Sequence, residues 1–245
     1  MKDWFSLIKT NCEAAANVVE ELQNNGFVVV PNLVKTVDLP QMTAAYDSAI
    51  ASASADDMKI GSTTTRVNDF VNRGKEFDEF YIYQPLLQAC CQVIGQPFKL
   101  STMHARNLHS NSQAQELHID FKPGEERFPL VSFIVMVDEF CDDNGATRFV
   151  PGSHKWSAIS DKLTADALAD YENQTVRACG QAGSMIIFSG SVWHGFSANT
   201  TPSPRRSIQG AFIPRNAQAA TDFSFRMTSE TLARISPLAK YLLAI

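Results

Sequence analysis

The sequence predicts an α+β fold in which helices come first and strands follow. Amphipathic helical patterns occupy about residues 1–96, whereas short apolar segments separated by turn residues occupy about residues 97–215. Eight such segments are typical of a jelly roll or barrel, so we expect the N-terminal helices to pack on one sheet. With 245 residues, 44% of them hydrophobic, the chain is expected to form a single domain, 1–245, ending in a tail over 216–245.

Three helices and one strand are predicted in the first part of the chain. Apolar residues spaced at i, i+3, i+4 and i+7 over 15–22 predict an amphipathic helix, and residues 27–30 follow as a short strand. Asp38 is a suitable N-cap for a second helix, and a third is expected over 85–95, where glycine ends it.

Eight strands are predicted after residue 97, each bounded by turn-forming residues. They are placed near residues 98–108, 115–121, 130–139, 147–150, 174–179, 183–188, 191–197 and 205–214. A helical insertion is expected over residues 163–171, between the fourth and fifth strands.

Composition favours a small-molecule partner. The net charge is −5 and there is no basic run, so a nucleic-acid surface is not expected. No apolar run approaches the roughly 20 residues that span a bilayer, so no membrane partner is expected. Five cysteines without CxxC spacing, in a sequence that opens without an apolar signal region, predict reduced thiols in a cytoplasmic protein, as a monomer or homodimer.

His118 and Asp120 are the first candidate metal ligands. They lie two residues apart in a predicted strand, so their side chains should point to the same face. With a second histidine they would form the 2-His-1-carboxylate set that holds non-haem Fe(II) and leaves coordination positions open. His194, 76 residues later in an apolar strand, is the candidate for that histidine. Taken alone, a single strand histidine is more often a hydrogen-bonded core residue.

The last predicted strand opens with Arg205, eleven residues after His194. A buried guanidinium can bind a carboxylate through two parallel hydrogen bonds, and the hydroxyl of Ser207 should point the same way. This pair suits a dicarboxylate cosubstrate. Arg206 should face the other side as a solvated or structural charge, unless a bulge exchanges the two arginines.

With these residues, the sequence resembles the phytanoyl-CoA dioxygenase-like family of Fe(II)- and 2-oxoglutarate-dependent oxygenases. The resemblance covers roughly residues 15–215. It rests on Gln115-x-x-His118-x-Asp120, on the run from Asn144 to His154, and on His194-Gly195 followed by Arg205. It implies a double-stranded β-helix (cupin-like) core and a dioxygenase that uses Fe(II), 2-oxoglutarate and O2.

The resemblance also implies roles for individual residues. The implied metal ligands are His118, Asp120 and His194. The implied cosubstrate contacts are Arg205, Gln115 and Thr147, to which strand spacing adds Ser207. Because Gln115 and His118 are three residues apart, a flat strand would face them in opposite directions, so a bulge or the start of the strand is required near Glu116.

Four further residues are candidates for the substrate side, each with a structural alternative: Arg66, Asn68, His104 and Arg106. Arg66 and Asn68 are expected in a helix-to-loop region that could close over the pocket, and a surface turn is equally plausible. His104 and Arg106 could line the substrate side of their strand or serve structure alone. His154, in a turn, is expected to tie down its loop.

The expected function is oxidation, by hydroxylation, of a small and largely apolar substrate in natural-product or secondary metabolism. An amino acid or other polar metabolite is the second choice, and the absence of a basic cluster gives little support for a coenzyme A thioester. Related halogenases replace the carboxylate ligand with a small residue, so Asp120 favours hydroxylation over halogenation. Desaturation, epoxidation and rearrangement stay open.

Two rival functions lie outside this class. One is a non-catalytic cupin-like protein that binds a ligand, and the other is a Zn(II)- or Mn(II)-dependent hydrolase or isomerase. Both leave Arg205 and Ser207 without an evident role.

Overall fold

A computed structural model describes residues 2–10, 16–120, 129–156 and 170–245. Its labelled helices are α1 (Trp4–Thr10), α2 (Ala16–Asn25), α3 (Leu39–Ala51), α4 (Gln84–Ile94), α5 (Phe223–Arg226), α6 (Ser229–Arg234) and α7 (Pro237–Leu242). Its strands are β1 (Phe27–Val30), β2 (Met58–Ile60), β3 (Thr64–Val67), β4 (Phe98–Leu108), β5 (Val131–Met136), β6 (Thr147–Phe149), β7 (Val176–Arg177), β8 (Met185–Ser189), β9 (His194–Phe196) and β10 (Arg205–Pro214).

The strands form two antiparallel sheets. The large sheet has seven strands in the order β1-β8-β5-β10-β4-β3-β2, and the small sheet has three in the order β7-β6-β9. Apart from β2, β3 and β4, which are consecutive, neighbouring strands of the large sheet are distant in sequence, as is typical of a jelly roll. The predicted α+β class and jelly-roll core are confirmed.

The large sheet is covered on both faces. Side chains such as Phe133 and Phe212 pack on one face against the helices, whereas Ile134 and Phe188 pack on the other face against Phe149 of the small sheet. Because successive side chains of a strand alternate between faces, a strand covered on both sides is apolar throughout, and all six residues of β5 are buried. Strand β5 is therefore covered on both faces of the large sheet.

Helices α2 and α4 cover the outer face of the large sheet. Both lie where the apolar spacing predicts a helix, and α4 ends at Gly95 in the left-handed conformation. Asp38 occupies the predicted N-cap position of α3, although its side chain makes no capping hydrogen bond. A 3-10 turn over Thr36–Asp38 leads directly into α3 and leaves Asp38 in a helical conformation.

Three predictions about the chain path change. Residues 115–120 form only an isolated bridge at His118 instead of a strand, because an extra residue interrupts regular pairing there. The segment with Arg66, expected as a helix-to-loop region, is strand β3. Its β-branched neighbours favour an extended backbone, and pairing with β4 supplies the partner that the sequence cannot reveal. Helix α1 is also present without having been predicted.

Some predictions fall partly outside the described residues. Of the insertion expected over 163–171, residues 157–169 are not described and residues 170–173 are helical. Phe121 likewise lies outside. The four described cysteines form no disulfide. Within the described ranges, no helix is long and apolar enough to cross a membrane.

The C-terminal residues pack onto the sheet. Three short helices, α5 to α7, each begin with a side-chain cap, from Asp222, Thr228 and Ser236 respectively. Leu242 and Leu243 are buried in the core shared with the helices. The end of the chain therefore covers apolar surface of the large sheet.

Gly210→Ala tests the packing at the centre of the large sheet. A Cβ at this position would lie 2.4 Å from Cζ of Phe133 and 2.8 Å from the carbonyl oxygen of Thr102. We expect a loss of about 1–3 kcal/mol in the free energy of unfolding, measured by urea denaturation. The added methyl group would displace the Phe133 ring and the backbone of Thr102 from their packed positions. Gly61→Ala, where the nearest atom would be 3.3 Å away in an exposed loop, should change it by less than about 0.5 kcal/mol. Equal effects would contradict this account of the packing.

Candidate metal and cosubstrate site

His118, Asp120 and His194 come together between the two sheets. One ligand atom from each lies within 4.8 Å of the other two. The two histidines are brought together by their backbones, since each N–H donates to the other's carbonyl oxygen at 2.9 Å. Their rings lie 4.4 Å apart, centre to centre.

Hydrogen bonds fix the tautomer of both histidines. Nδ1 of His118 lies 3.1 Å from the carbonyl oxygen of Glu116, and Nδ1 of His194 lies 2.9 Å from that of Val192. A carbonyl only accepts, so each Nδ1 carries the proton and donates it. In the neutral form of each ring, Nε2 is then the nitrogen with the lone pair, as in metal-ligating histidines.

The carboxylate of Asp120 is held from two sides. Its Oδ2 accepts a hydrogen bond from the hydroxyl of Ser132 at 2.7 Å, and its Oδ1 lies 3.6 Å from Nε2 of His194. The backbone N–H of Asp120 donates to the carbonyl oxygen of Gly190 at 2.9 Å. Asp120 thus has one oxygen restrained by a neighbour and the other directed at the histidine pair.

The three side chains fit a divalent metal. Burial and the neighbouring His194 lower the pKa of His118 to about 4, so that imidazole is neutral at pH 7 and can coordinate. Two imidazoles and one carboxylate are the donor set typical of non-haem Fe(II).

A bulge places Gln115 and His118 on the same side. The N–H of Gln115 donates to the carbonyl oxygen of Phe196 at 2.9 Å, and His118 pairs with His194. His118 lies three residues after Gln115, whereas His194 lies only two residues before Phe196. The segment therefore contains the extra residue that the sequence analysis requires. A Cβ at Gly195 would lie 3.0 Å from the carbonyl oxygens of Gln115 and Glu116, so glycine permits this close approach.

Arg205 is buried and has no acidic partner among the described residues. Only 2% of it is exposed, its guanidinium lies 3.8 Å from the ring centre of Phe140, and its Nε and one terminal nitrogen have no hydrogen-bond partner in the described structure. Burial, followed by repulsion from Arg106, lowers its pKa to about 9. A buried donor without a partner is costly, so a cationic fork in a cavity fits an anionic ligand such as a carboxylate.

Arg206 faces the opposite side of the sheet, as predicted. It binds Asp138 at 2.7 Å and Asp47 of α3 at 2.8 Å. The two adjacent arginines therefore have different environments. Arg206 links helix α3 to the sheet, whereas Arg205 lines the cavity.

One cavity of about 350 Å³ collects most of the predicted residues. Its described walls include His118, Asp120, His194, Arg205, Gln115, Thr147, Arg66, His104 and Arg106. Two predicted residues do not line it. Ser207 is fully buried and donates to the backbone carbonyl of Arg106 at 3.1 Å. Asn68 lies beyond β3, where its carbonyl accepts from Nε of Arg73.

Three contacts were missed by sequence reasoning. Gln209 lies two residues after Ser207 on the same strand face, so period two could have found it. The hydroxyl of Ser132 in an otherwise apolar strand was also a signal, because a buried polar group needs a partner. Phe140, under Arg205, carries no such signal, since its role depends on a bridge to Gly180.

Comparison with known proteins identifies the family. The family described as phytanoyl-CoA dioxygenase (PhyH) matches residues 22–207, about three quarters of the chain. The chain belongs to this family. The resemblance seen in the sequence is therefore confirmed.

Fungal dioxygenases are among the similar sequences. The chain is 27% identical to dioxygenase sphC of Aspergillus fumigatus over 91% of this chain and 65% of that protein. It is 28% identical to dioxygenase trt7 of Aspergillus terreus, over 79% and 71%, and 25% identical to multifunctional dioxygenase prhA of Penicillium brasilianum, over 91% and 80%. The chain thus spans from just under two thirds to four fifths of the length of these relatives.

Two solved structures share the fold. The non-heme alpha-ketoglutarate-dependent carbocyclase SnoK from nogalamycin biosynthesis superposes with a TM-score of 0.69 at 17% identity, covering 92% of both chains. HygX from Streptomyces hygroscopicus, solved with nickel and 2-oxoglutarate bound, gives 0.66 at 16% identity over 83% of this chain and 89% of that one. The predicted double-stranded β-helix core is confirmed by these neighbours.

Ser132→Ala tests whether the hydroxyl positions Asp120. Loss of the 2.7 Å hydrogen bond should weaken binding of Co(II), a spectroscopic probe of the site, by about 10- to 100-fold. Ser197→Ala, which removes a similar buried hydroxyl bonded to the carbonyl of Ala146, should leave Co(II) affinity within about threefold. Unchanged affinity in Ser132→Ala would show that Asp120 needs no support from β5.

Proposed function

We propose that this protein is a non-haem Fe(II)- and 2-oxoglutarate-dependent dioxygenase that oxidises a small organic substrate of secondary metabolism by hydroxylation. The observation that carries this proposal is the position of the His118, Asp120 and His194 group in the same cavity as the unpartnered guanidinium of Arg205. A metal site alone would serve many reactions. The added cationic fork is what a dicarboxylate cosubstrate needs.

In this proposal the three clustered side chains hold the metal. Nε2 of His118, Nε2 of His194 and a carboxylate oxygen of Asp120 are the donors. The hydrogen bonds from both Nδ1 atoms to backbone carbonyls orient the rings before any metal arrives. The chain therefore supplies a preformed site on paired backbone segments, which reduces the reorganisation that binding requires.

Arg205 is proposed to bind the distal carboxylate of 2-oxoglutarate, with Gln115 and Thr147 as further contacts. Phe140 covers one face of the guanidinium and keeps water from it, which strengthens a charge-assisted bond in this place. Ser207 supports the same strand region through its hydrogen bond to the backbone of Arg106.

Iron and 2-oxoglutarate, when bound, supply oxidising power from O2, with succinate and CO2 as the coproducts. The residues of this chain bind, orient and shield the reactants. Asp120 supports hydroxylation over halogenation, because a carboxylate ligand occupies the position that halide would need. A ring-forming or rearranging outcome is the alternative, since SnoK, which shares the fold, is described as a carbocyclase.

Arg205→Gln and Arg206→Gln form a matched test of the cosubstrate clamp. Anaerobic titration of the protein with Fe(II) and 2-oxoglutarate should produce the weak visible absorption band of their complex. We expect Arg205→Gln to weaken 2-oxoglutarate binding by at least about 30-fold, because the partner of a buried charge pair is lost. Arg206→Gln should bind it normally while losing stability, since Arg206 faces Asp138 and Asp47. Absence of the band in the intact protein would refute the proposed function.

Removal of a metal ligand should separate activity from folding. His118→Ala and Asp120→Ala are each expected to abolish substrate-dependent succinate formation, measured by a coupled assay, while the far-UV circular dichroism stays as in the wild type. The fold should survive because the paired backbones, not the metal, form the sheets. Turnover at the wild-type rate in either variant would remove that residue from the ligand set.

A further inference from the structure

Two arginines face each other across the edge of the large sheet. Arg66 of β3 is the direct cross-strand partner of Arg106 of β4, and both line the cavity. Side chains at directly opposite positions lie on the same face, and like charges there are destabilising. Such a pair requires a compensating group.

The described residues do not supply that group. Arg106 is mostly buried, its guanidinium reaches only Oε1 of Gln209 at 3.4 Å, and its Nε has no hydrogen-bond partner in the described ranges. Its other contact is the ring of Phe196, whose centre lies 5.4 Å away. No described carboxylate forms an ion pair with Arg66 or Arg106. Burial, followed by repulsion from Arg66, lowers the pKa of Arg106 to about 10, so it is still charged at pH 7.

The described residues of the cavity carry more positive charge than a metal and 2-oxoglutarate would neutralise. Its described walls carry three arginines, including Arg205, and one carboxylate, Asp120. If the proposed function holds, a divalent metal and a dianionic cosubstrate cancel each other, so two positive charges are left over. Arg106 is mostly buried whereas Arg66 is exposed, so the cost of uncompensated charge falls on Arg106. An anion is therefore expected from a further ligand.

The neighbouring wall is also polar. His104, on the same face of β4 as Arg106, is buried with both ring nitrogens lacking a hydrogen-bond partner in the described structure. Its direct partner on β10 is Gln209. Burial, with repulsion from Arg66 and Arg106, lowers the pKa of His104 to about 3, so the ring is neutral and offers one donor and one acceptor. This wall suits an oxygen-bearing group better than a hydrocarbon.

We propose that Arg66 and Arg106 together bind a carboxylate carried by the organic substrate, so that the substrate of this enzyme is an organic acid. This inference rests on the proposed function for the identity of the other occupants of the cavity. It replaces the largely apolar substrate that the sequence favours. Arg205 lies on β10 and serves the cosubstrate. Arg106 lies on the next strand of the sheet, β4, and Arg66 lies on the strand after that, β3.

Binding of two matched probes tests the proposal without turnover. Cyclohexanecarboxylate and the uncharged cyclohexanecarboxamide have the same ring and differ in charge. Ligand-observed NMR measures their affinities for the protein loaded with Ni(II), which does not support turnover, and with 2-oxoglutarate. We expect the wild type to prefer the carboxylate by about tenfold or more, as charge-assisted hydrogen bonds require.

The variants separate charge from structure. Arg106→Gln and Arg66→Gln should each reduce this preference to within about threefold, whereas Arg106→Lys should retain part of it because the charge remains. Arg206→Gln, on the opposite face, should keep the full preference. Affinity for 2-oxoglutarate in Arg106→Gln should stay within about threefold of the wild type.

Two results would overturn the inference. One is an equal affinity of the wild type for both probes. The other is loss of 2-oxoglutarate binding in Arg106→Gln with the probe preference intact, which would assign the pair to the cosubstrate. If the wild type takes up no 2-oxoglutarate, the proposed function fails. In that case the preference for the carboxylate probe over the amide probe is measured on the metal-free protein. The inference then requires that this preference is lost in Arg106→Gln.

Discussion

The reciprocal backbone hydrogen bonds between His118 and His194 are the constraint on which the site depends. They join the segment that precedes β5 to strand β9 of the small sheet, and both hydrogen bonds are 2.9 Å long. Because the bonds use backbone atoms, Nε2 of both imidazoles stays available, and the same residues that join the two sheets can serve as ligands. The bulge before His118 and the glycine at 195 follow from this junction, since both allow the two backbones to approach.

Charge dominates the space around that junction. Arg205, Arg106 and Arg66 enter one cavity from three adjacent strands, and Asp120 is the sole carboxylate on its described walls. A fold selected for stability alone would pair these cations, as it does for Arg206 with Asp138 and Asp47. The contrast between neighbouring arginines supports a division of labour in which the outer face of β10 stabilises and the inner face binds anions.

Local spacing accounts for what could be predicted. Period two placed His118 with Asp120 and separated Arg205 from Arg206, and helical periodicity placed α2, α3 and α4. It could not place β3, because a short edge strand is defined by its partner as much as by its own residues. It also could not find Phe140, whose position under Arg205 results from a bridge between two distant loops.

The sequence by itself determined the α+β class, the family, and the residue types that meet in the cavity. These properties depend on alternation and short spacing, which any segment carries within itself. Only the tertiary structure decided that Arg66 and Arg106 face each other in the cavity, that Ser207 is withdrawn into the backbone, and that Asn68 lies outside. The reason is physical: the register between strands far apart in sequence is fixed by the packing of both faces of the sheet, so no local pattern encodes it.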